Sequence, residues 1–138
     1  MNNLQDSVNR LLEQQNTAFV GSIDHEGFPQ VKAMLAPRVR EGFHAFYFTT
    51  NTSSMRVAQF RHEQRASVYF CDQKRFEGVM FKGTMEVLED QASKELIWQD
   101  GDTLYYPLGV TDPDYCVLKF TCLSGRYYNN FSSKTFEV

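Results

Sequence analysis

The run Thr49-Thr50-Asn51-Thr52-Ser53-Ser54 sets six small polar side chains in a row, and Arg56 follows shortly after. An aromatic stretch, "FHAFYF", leads into it, and "SSMRVAQFRHE" continues from it with the composition of a helix. A helix start leaves backbone N–H groups without partners and carries partial positive charge. One Ser or Thr at the N-cap satisfies part of that need, and Thr52 or Ser53 would fill the role. The surplus hydroxyls, the free N–H groups and the Arg56 guanidinium together would suit a phosphate. Strand-to-helix loops are also rich in Ser, Thr and Asn without any ligand. On the residues alone, the anion site and the plain cap are both open.

Other chemistry is missing. Gly21 and Ser22 are adjacent, which is the wrong spacing for a nucleophile elbow. No Walker loop occurs, and no GxGxxG follows a strand. His25, His44 and His62 fall on a turn, a strand and a helix and form no HExxH, so no metal site is expected. Cys71, Cys116 and Cys122 form no CxxC. Cys116 and Cys122 belong to one expected strand, about 20 Å apart at ~3.3 Å per residue. That is too far to bond, so all three read as buried small hydrophobes.

The 138 residues are 42% hydrophobic, enough for the core of one domain over 1–138. The formal net charge of -3 offers no basic excess for a nucleic acid backbone. No apolar run approaches the ~20 residues of a membrane span, and "MNNLQDSVNRLLEQQ" lacks the apolar centre of a signal peptide. A cytoplasmic protein that binds neither nucleic acid nor membrane is expected.

The elements that would position the polar run follow from periodicity. Leu4, Val8, Leu11 and Leu12 mark one face of a helix from Asn2 to about Gln15. "TAFVGSID" and "QVKAMLAP" read as a hairpin joined by the turn "HEGFP". "EGFHAFYFTT" is a third strand, opened by Gly42, and "ASVYFC" a fourth. In the intervening helix Val57, Phe60 and Gln64 would face inward. "FEGVMFKGTMEVLE" alternates cleanly, with Val79, Phe81, Gly83, Met85 and Val87 on one face. "DQASKELIWQD" is a short helix capped by Asp90, with Leu96, Ile97 and Trp98 on its apolar side. A long Gly/Pro/Asp-rich loop follows. Then comes "YCVLKFTCLSGRYYNNF", where Cys116, Leu118, Phe120 and Cys122 share a face. The order does not alternate βαβα. It predicts a mainly β fold: a six- or seven-stranded antiparallel barrel with attached α-helices.

Taken in order, "GFPQVKAM", "FTTNTSSMR", "FKGTMEVLED", "ELIWQD", the Tyr-Pro loop and "GRYYN" resemble a known family. From about Thr17 to Tyr128 the chain resembles the FMN-binding split barrel of the pyridoxamine 5′-phosphate oxidase superfamily, in its short general-stress-protein-like branch. The resemblance implies an FMN site. Ser54 and Arg56 would bind the phosphate, with Met55 nearby through its backbone, and Thr49 and Thr50 would meet the ribityl chain. Lys32, Ala33 and Met34 would run along the ring, with Lys32 as the cation near its pyrimidine end. The position of Met55 is sometimes basic in the family, so this chain brings one cation fewer.

The resemblance also implies a homodimer with the flavin at its interface. Trp98, Tyr127 and Tyr128 would be candidates from the second subunit, although each has a plain packing role open to it and Trp98 reads better as core. The implied activity is that of an FMN-dependent oxidoreductase acting on a small molecule or reducing flavin, with NAD(P)H as a possible donor. Alternatives are a non-catalytic FMN-binding stress or electron-carrier protein, a haem- or deazaflavin-binding relative, or a barrel without cofactor. Oxidation of pyridoxamine phosphate itself is not expected, because "NNFSSKTFEV" lacks the Arg- and Trp-rich tail used for that substrate.

Overall fold

The structure, a computed structural model, describes residues 3–138. Helix α1 (Asn3–Gln14) turns Val8, Leu11 and Leu12 inward. The expected start of that helix at Asn2 lies outside the described residues. Strands β1 (Thr17–Ile23) and β2 (Pro29–Leu35) form the expected hairpin, register Thr17 with Leu35. Gly27, with φ 86°, takes the left-handed turn between them.

The single strand expected from Glu41 to Thr50 is instead a hairpin. Strand β3 (Val39–Glu41) turns at Gly42 (φ 57°) into β4 (Ala45–Asn51). Helix α2 (Met55–His62) buries Val57, Gln59 and Phe60. Gln64 is exposed, because the chain has already left the helix there and enters β5 (Arg65–Asp72). Strand β6 (Glu77–Leu88), helix α3 (Gln91–Ile97), strand β7 (Tyr115–Asn129) and strand β8 (Ser132–Glu137) complete the chain. The loop before β7 carries two short 3₁₀ turns, Asp102–Leu104 and Gly109–Thr111. Leu96, expected on the apolar side of α3, is exposed, whereas Ile97 is buried.

All strands are antiparallel, in the order β2-β1-β5-β6-β7-β4-β3, with β8 added on β7. The sheet therefore has eight strands among the described residues rather than six or seven. The extra ones are the short β3 and the tail strand β8. The architecture is the expected split barrel with helices attached. No helix among the described residues is long and apolar enough to cross a membrane.

Phenylalanines fill the barrel. The Phe46 ring meets Phe81 edge-on at 5.1 Å and stacks on Phe120 at 5.8 Å. Edge-to-face contacts of this kind add to the gain from burying the rings. The β6 alternation holds, with Val79, Phe81 and Met85 fully buried. Cys116, Leu118, Phe120 and Cys122 also face the core, as their spacing predicts. A bulge between Lys82 and Gly83 then shifts the β6–β7 register, pairing Gly83 with Cys122 and Lys82 with Ser124. Leu123 is the residue left over, and it is exposed. A Cβ on Gly83 would lie 2.0 Å from the Thr121 carbonyl oxygen, so only glycine fits the bulge. Past it the inward face moves to Gly125 and Tyr127. No cysteine is disulfide-bonded, and Cys71, expected to be buried, is half-buried.

A second, smaller core lies on the other face of β4 and β7. Tyr47, Ile97, Tyr115 and Val117 form it, with Trp98 and Tyr106 packed against them. Arg38 fastens this region. Its guanidinium donates to both oxygens of the Asp102 carboxylate, the Nη2 bond measuring 2.8 Å, and Nη1 also reaches the Ile97 carbonyl at 3.1 Å. The Arg38 hydrogen bond holds the Asp102 carboxyl below the usual aspartate range. A carboxyl depressed in the folded state stabilises the fold above its ordinary pKa, and that contribution is lost as pH falls through the depressed value. Asp102→Asn should therefore cost about 2–4 kcal/mol at neutral pH, because Arg38 loses its buried counterion. In urea titrations the gap to wild type should narrow below the ordinary aspartate range. A gap constant down to strong acid would contradict the assignment.

Candidate functional site

The barrel is open on one side. Strand β2 ends the sheet path at one edge and β3 at the other. The chain passes from edge to edge through Ala36-Pro37-Arg38, with Ala36 N–H bonded to the Asn16 carbonyl and Arg38 N–H to the Tyr47 carbonyl, both at 2.9 Å. Above this bridge lies a cleft of about 590 Å³, within the usual range for a cofactor site. Met34 and Leu35 from β2 form one wall, and Thr49, Thr50 and Asn51 from β4 form another. Tyr105, Tyr106 and Asp114 of the long loop close the third side.

Three of the residues expected in the site, Met34, Thr49 and Thr50, thus line one cleft. Their neighbours stand differently. On β2, Lys32 pairs with Val20 and Met34 with Ala18, so both share the face opposite two fully buried residues. Lys32 remains exposed, and it makes no hydrogen bond or ion pair among the described residues. Ala33 is exposed on the other face with Val31 and Leu35.

The polar run resolves into distinct jobs. Ser54, not Thr52 or Ser53, is the N-cap of α2, and its Oγ accepts from Val57 N–H at 3.2 Å. Thr52 and Ser53 are engaged otherwise, the Thr52 hydroxyl and the Ser53 N–H with Asp114 and the Ser53 hydroxyl with Asn51. Thr52 Oγ1 donates to Asp114 Oδ1 at 2.9 Å, and Ser53 N–H reaches the same oxygen at 3.1 Å. These two bonds, the Thr52 one first, hold the Asp114 carboxyl below the usual range, so it stays ionised near neutrality. Asn51 Nδ2 donates to Ser53 Oγ at 2.8 Å. Met55 is 63% exposed. Arg56, in the first turn of α2, is half-buried, and among the described residues it has no hydrogen bond or ion pair.

The C-terminal candidates lie apart from these within one chain. Trp98 packs against the Tyr115 ring at 5.2 Å and the Tyr106 ring at 6.5 Å, so it backs the cleft through Tyr106. Tyr127 is buried beyond the bulge. Its hydroxyl donates to the buried Glu77 carboxylate, which also accepts from Arg10 Nη2 at 2.8 Å. Tyr128 sits next to it, partly exposed, opposite Gly78. Neither tyrosine lines the cleft.

Arg38, Tyr105, Tyr106 and Asp114 escape a reading of the sequence. Arg38 follows a proline at a strand end, and the others sit in a loop without periodicity. Only "TDPDY", with two carboxylates flanking a proline before a long strand, gives any signal of a fixed acidic corner. The histidines belong elsewhere. The His25 and His62 rings stack at 4.3 Å, and none of the three histidines lines the cleft. No group of three or more metal-ligating side chains occurs among the described residues.

Comparison with known proteins follows the same lines. The family described as "Pyridoxamine 5'-phosphate oxidase like" matches residues 3–138. A crystal structure from Clostridium acetobutylicum, of a protein related to general stress protein 26 of Bacillus subtilis in the pyridoxinephosphate oxidase family, is 38% identical. It covers 98% of this chain and 94% of its own, with a TM-score of 0.89. General stress protein 26 of Bacillus anthracis has the same fold at 16% identity, a TM-score of 0.79 and 98% coverage of both chains. A heme binding protein from Mycobacterium smegmatis shares the fold at 15% identity and a TM-score of 0.79, with 99% of this chain and 59% of that one covered. No curated protein matches. A split barrel matched to one family profile over all its described residues, and to a solved relative of that family at 38% identity, has one classification: the chain belongs to the pyridoxamine 5′-phosphate oxidase-like family.

Proposed function

We propose that the chain binds FMN in the open seam of the barrel and works as a small-molecule oxidoreductase of cytoplasmic type, paired with a second copy. The observation that carries this reading is Arg56: a half-buried guanidinium without a partner among the described residues, just past a hydroxyl-rich corner whose strand lines a cleft of about 590 Å³. A cation kept partly from water gains from an anion, and a phosphate ester accepts its planar fork. The cleft's volume and its apolar Met34 and Leu35 wall suit a flat ring.

When bound, the flavin supplies hydride or single-electron transfer. The chain's own residues do the rest. Thr49 and Thr50 offer hydroxyls to the ribityl chain. Ser54 fixes the start of α2, which sets Arg56 in the first turn beside the helix's first N–H groups. Lys32, whose side chain has no partner among the described residues, brings positive charge to β2 two residues before Met34. Arg38 has its charge spent on Asp102 and contributes by holding the floor. FMN is favoured over haem because no histidine lines the cleft, and among the described residues Met34 and two tyrosines are the side chains of axial-ligand type there.

Arg56→Ala should weaken FMN binding roughly 10- to 100-fold, the loss of a charge-assisted contact of about 1.5–3 kcal/mol. Fluorescence-quenching titration reads this directly. Unchanged affinity would refute the phosphate assignment.

The second copy is proposed from β2. This edge strand presents Val31 and Leu35, 74% and 69% exposed, on its outward face, and Leu35 also borders the cleft. An apolar edge of this kind is normally covered. Val31→Lys should convert a dimer to monomer in sedimentation and weaken FMN at least about tenfold. A wild-type monomer that binds FMN equally well would contradict the pairing.

A further inference from the structure

Asp114 does something at this corner that a phosphate site does not need. Two donors between the cleft wall and the start of α2 are the Thr52 hydroxyl and the Ser53 N–H. Both point to one oxygen of the Asp114 carboxylate, and the backbone seals the contact, with Thr52 N–H bonded to the Asp114 carbonyl at 2.8 Å. Asp114 itself lines the cleft. A carboxylate is thus seated on the donors that an incoming phosphate would seek, and it adds a negative charge to the wall the phosphate must approach.

We infer that Asp114 is a specificity-determining residue of the cleft: its carboxylate occupies the Thr52–Ser53 donors and lowers the affinity for any ligand ending in a phosphate monoester. This rests on the FMN reading given above. The phosphate is left with Arg56, the Ser54 hydroxyl and the first turn of α2. The oxidised flavin ring is uncharged, so the Asp114 charge acts on it far less than on a phosphate dianion. A flavin with its phosphate and one without should therefore be discriminated far less than Arg56 alone would achieve. The loop from Tyr105 to Asp114 has a stake in the same contact, because Asp114 ties that wall to the corner before α2.

The test uses the full chain with two probes, FMN and riboflavin, titrated by fluorescence quenching into wild type and Asp114→Asn. Asparagine keeps an oxygen to accept from Thr52 and Ser53 while removing the charge, so the corner stays folded. FMN should tighten about three- to tenfold, the scale of a like charge removed near a partly exposed anion. Riboflavin should not change, which also certifies an intact cleft. FMN affinity that is unchanged, or that shifts by the same factor as riboflavin, overturns the role of Asp114 and leaves the FMN reading standing. Loss of both flavins in Asp114→Asn alone makes Asp114 a structural tie and likewise overturns the inference. Failure of wild type to bind FMN sinks the FMN reading and this inference with it.

Discussion

The structure depends on a sheet that cannot close. Its path ends at β2 on one side and β3 on the other, and the chain spans the gap with three residues, Ala36, Pro37 and Arg38. So short a bridge keeps the two edges near each other at one end. Pro37 lacks a donor N–H and holds the preceding residue extended, so this segment links the edges without pairing them. The result is a seam, and the cleft is the seam's interior. The Arg38 guanidinium anchors the bridge to Asp102, and the loop beyond Asp102 becomes the third wall. Fold and site thus share one origin.

The charges around the seam divide into spent and unspent. Arg38 and Asp102 neutralise each other, and Asp114 is held by hydroxyl and amide donors. Lys32 and Arg56 have no protein partner among the described residues. Neither lines the cleft itself: Lys32 lies on β2 two residues before Met34, and Arg56 lies on α2 just past the polar run that follows the Thr49-Thr50-Asn51 wall. The same division shows why the corner holds fewer donors for an anion than its composition suggests. Of the hydroxyl groups in the run, Thr52 already donates to Asp114, and Ser54 accepts from the helix it caps.

Much of the fold is legible in the sequence because burial imposes periods. The Val79-Phe81-Met85 alternation and the helical spacing of Val8, Leu11 and Leu12 each predict their inward faces. Asp90 announces its own cap, and the structure places it there. Local patterns fail where tertiary contacts decide. Tyr127 turns inward because the bulge at Gly83 resets the β7 alternation, and no local residue type announces that shift. Gln64 leaves the helix face because α2 ends at His62 and β5 begins at Arg65. Ser54 caps while the Thr52 hydroxyl is held by Asp114, some sixty residues away, and the Ser53 hydroxyl by Asn51. The site follows the same rule. Met34, Thr49 and Thr50 are legible through family likeness, whereas Arg38, Tyr105, Tyr106 and Asp114 reach the cleft only through the path of the chain.

The central claim is that the seam is a flavin site. The most direct measurement is a difference absorption spectrum of the wild-type chain titrated with FMN, run beside an identical titration with haem. The account predicts saturable perturbation of the flavin bands at one FMN per subunit and no saturable Soret shift. Flavin bands that remain those of free FMN at every protein concentration, or a stoichiometric Soret shift with haem, would contradict it.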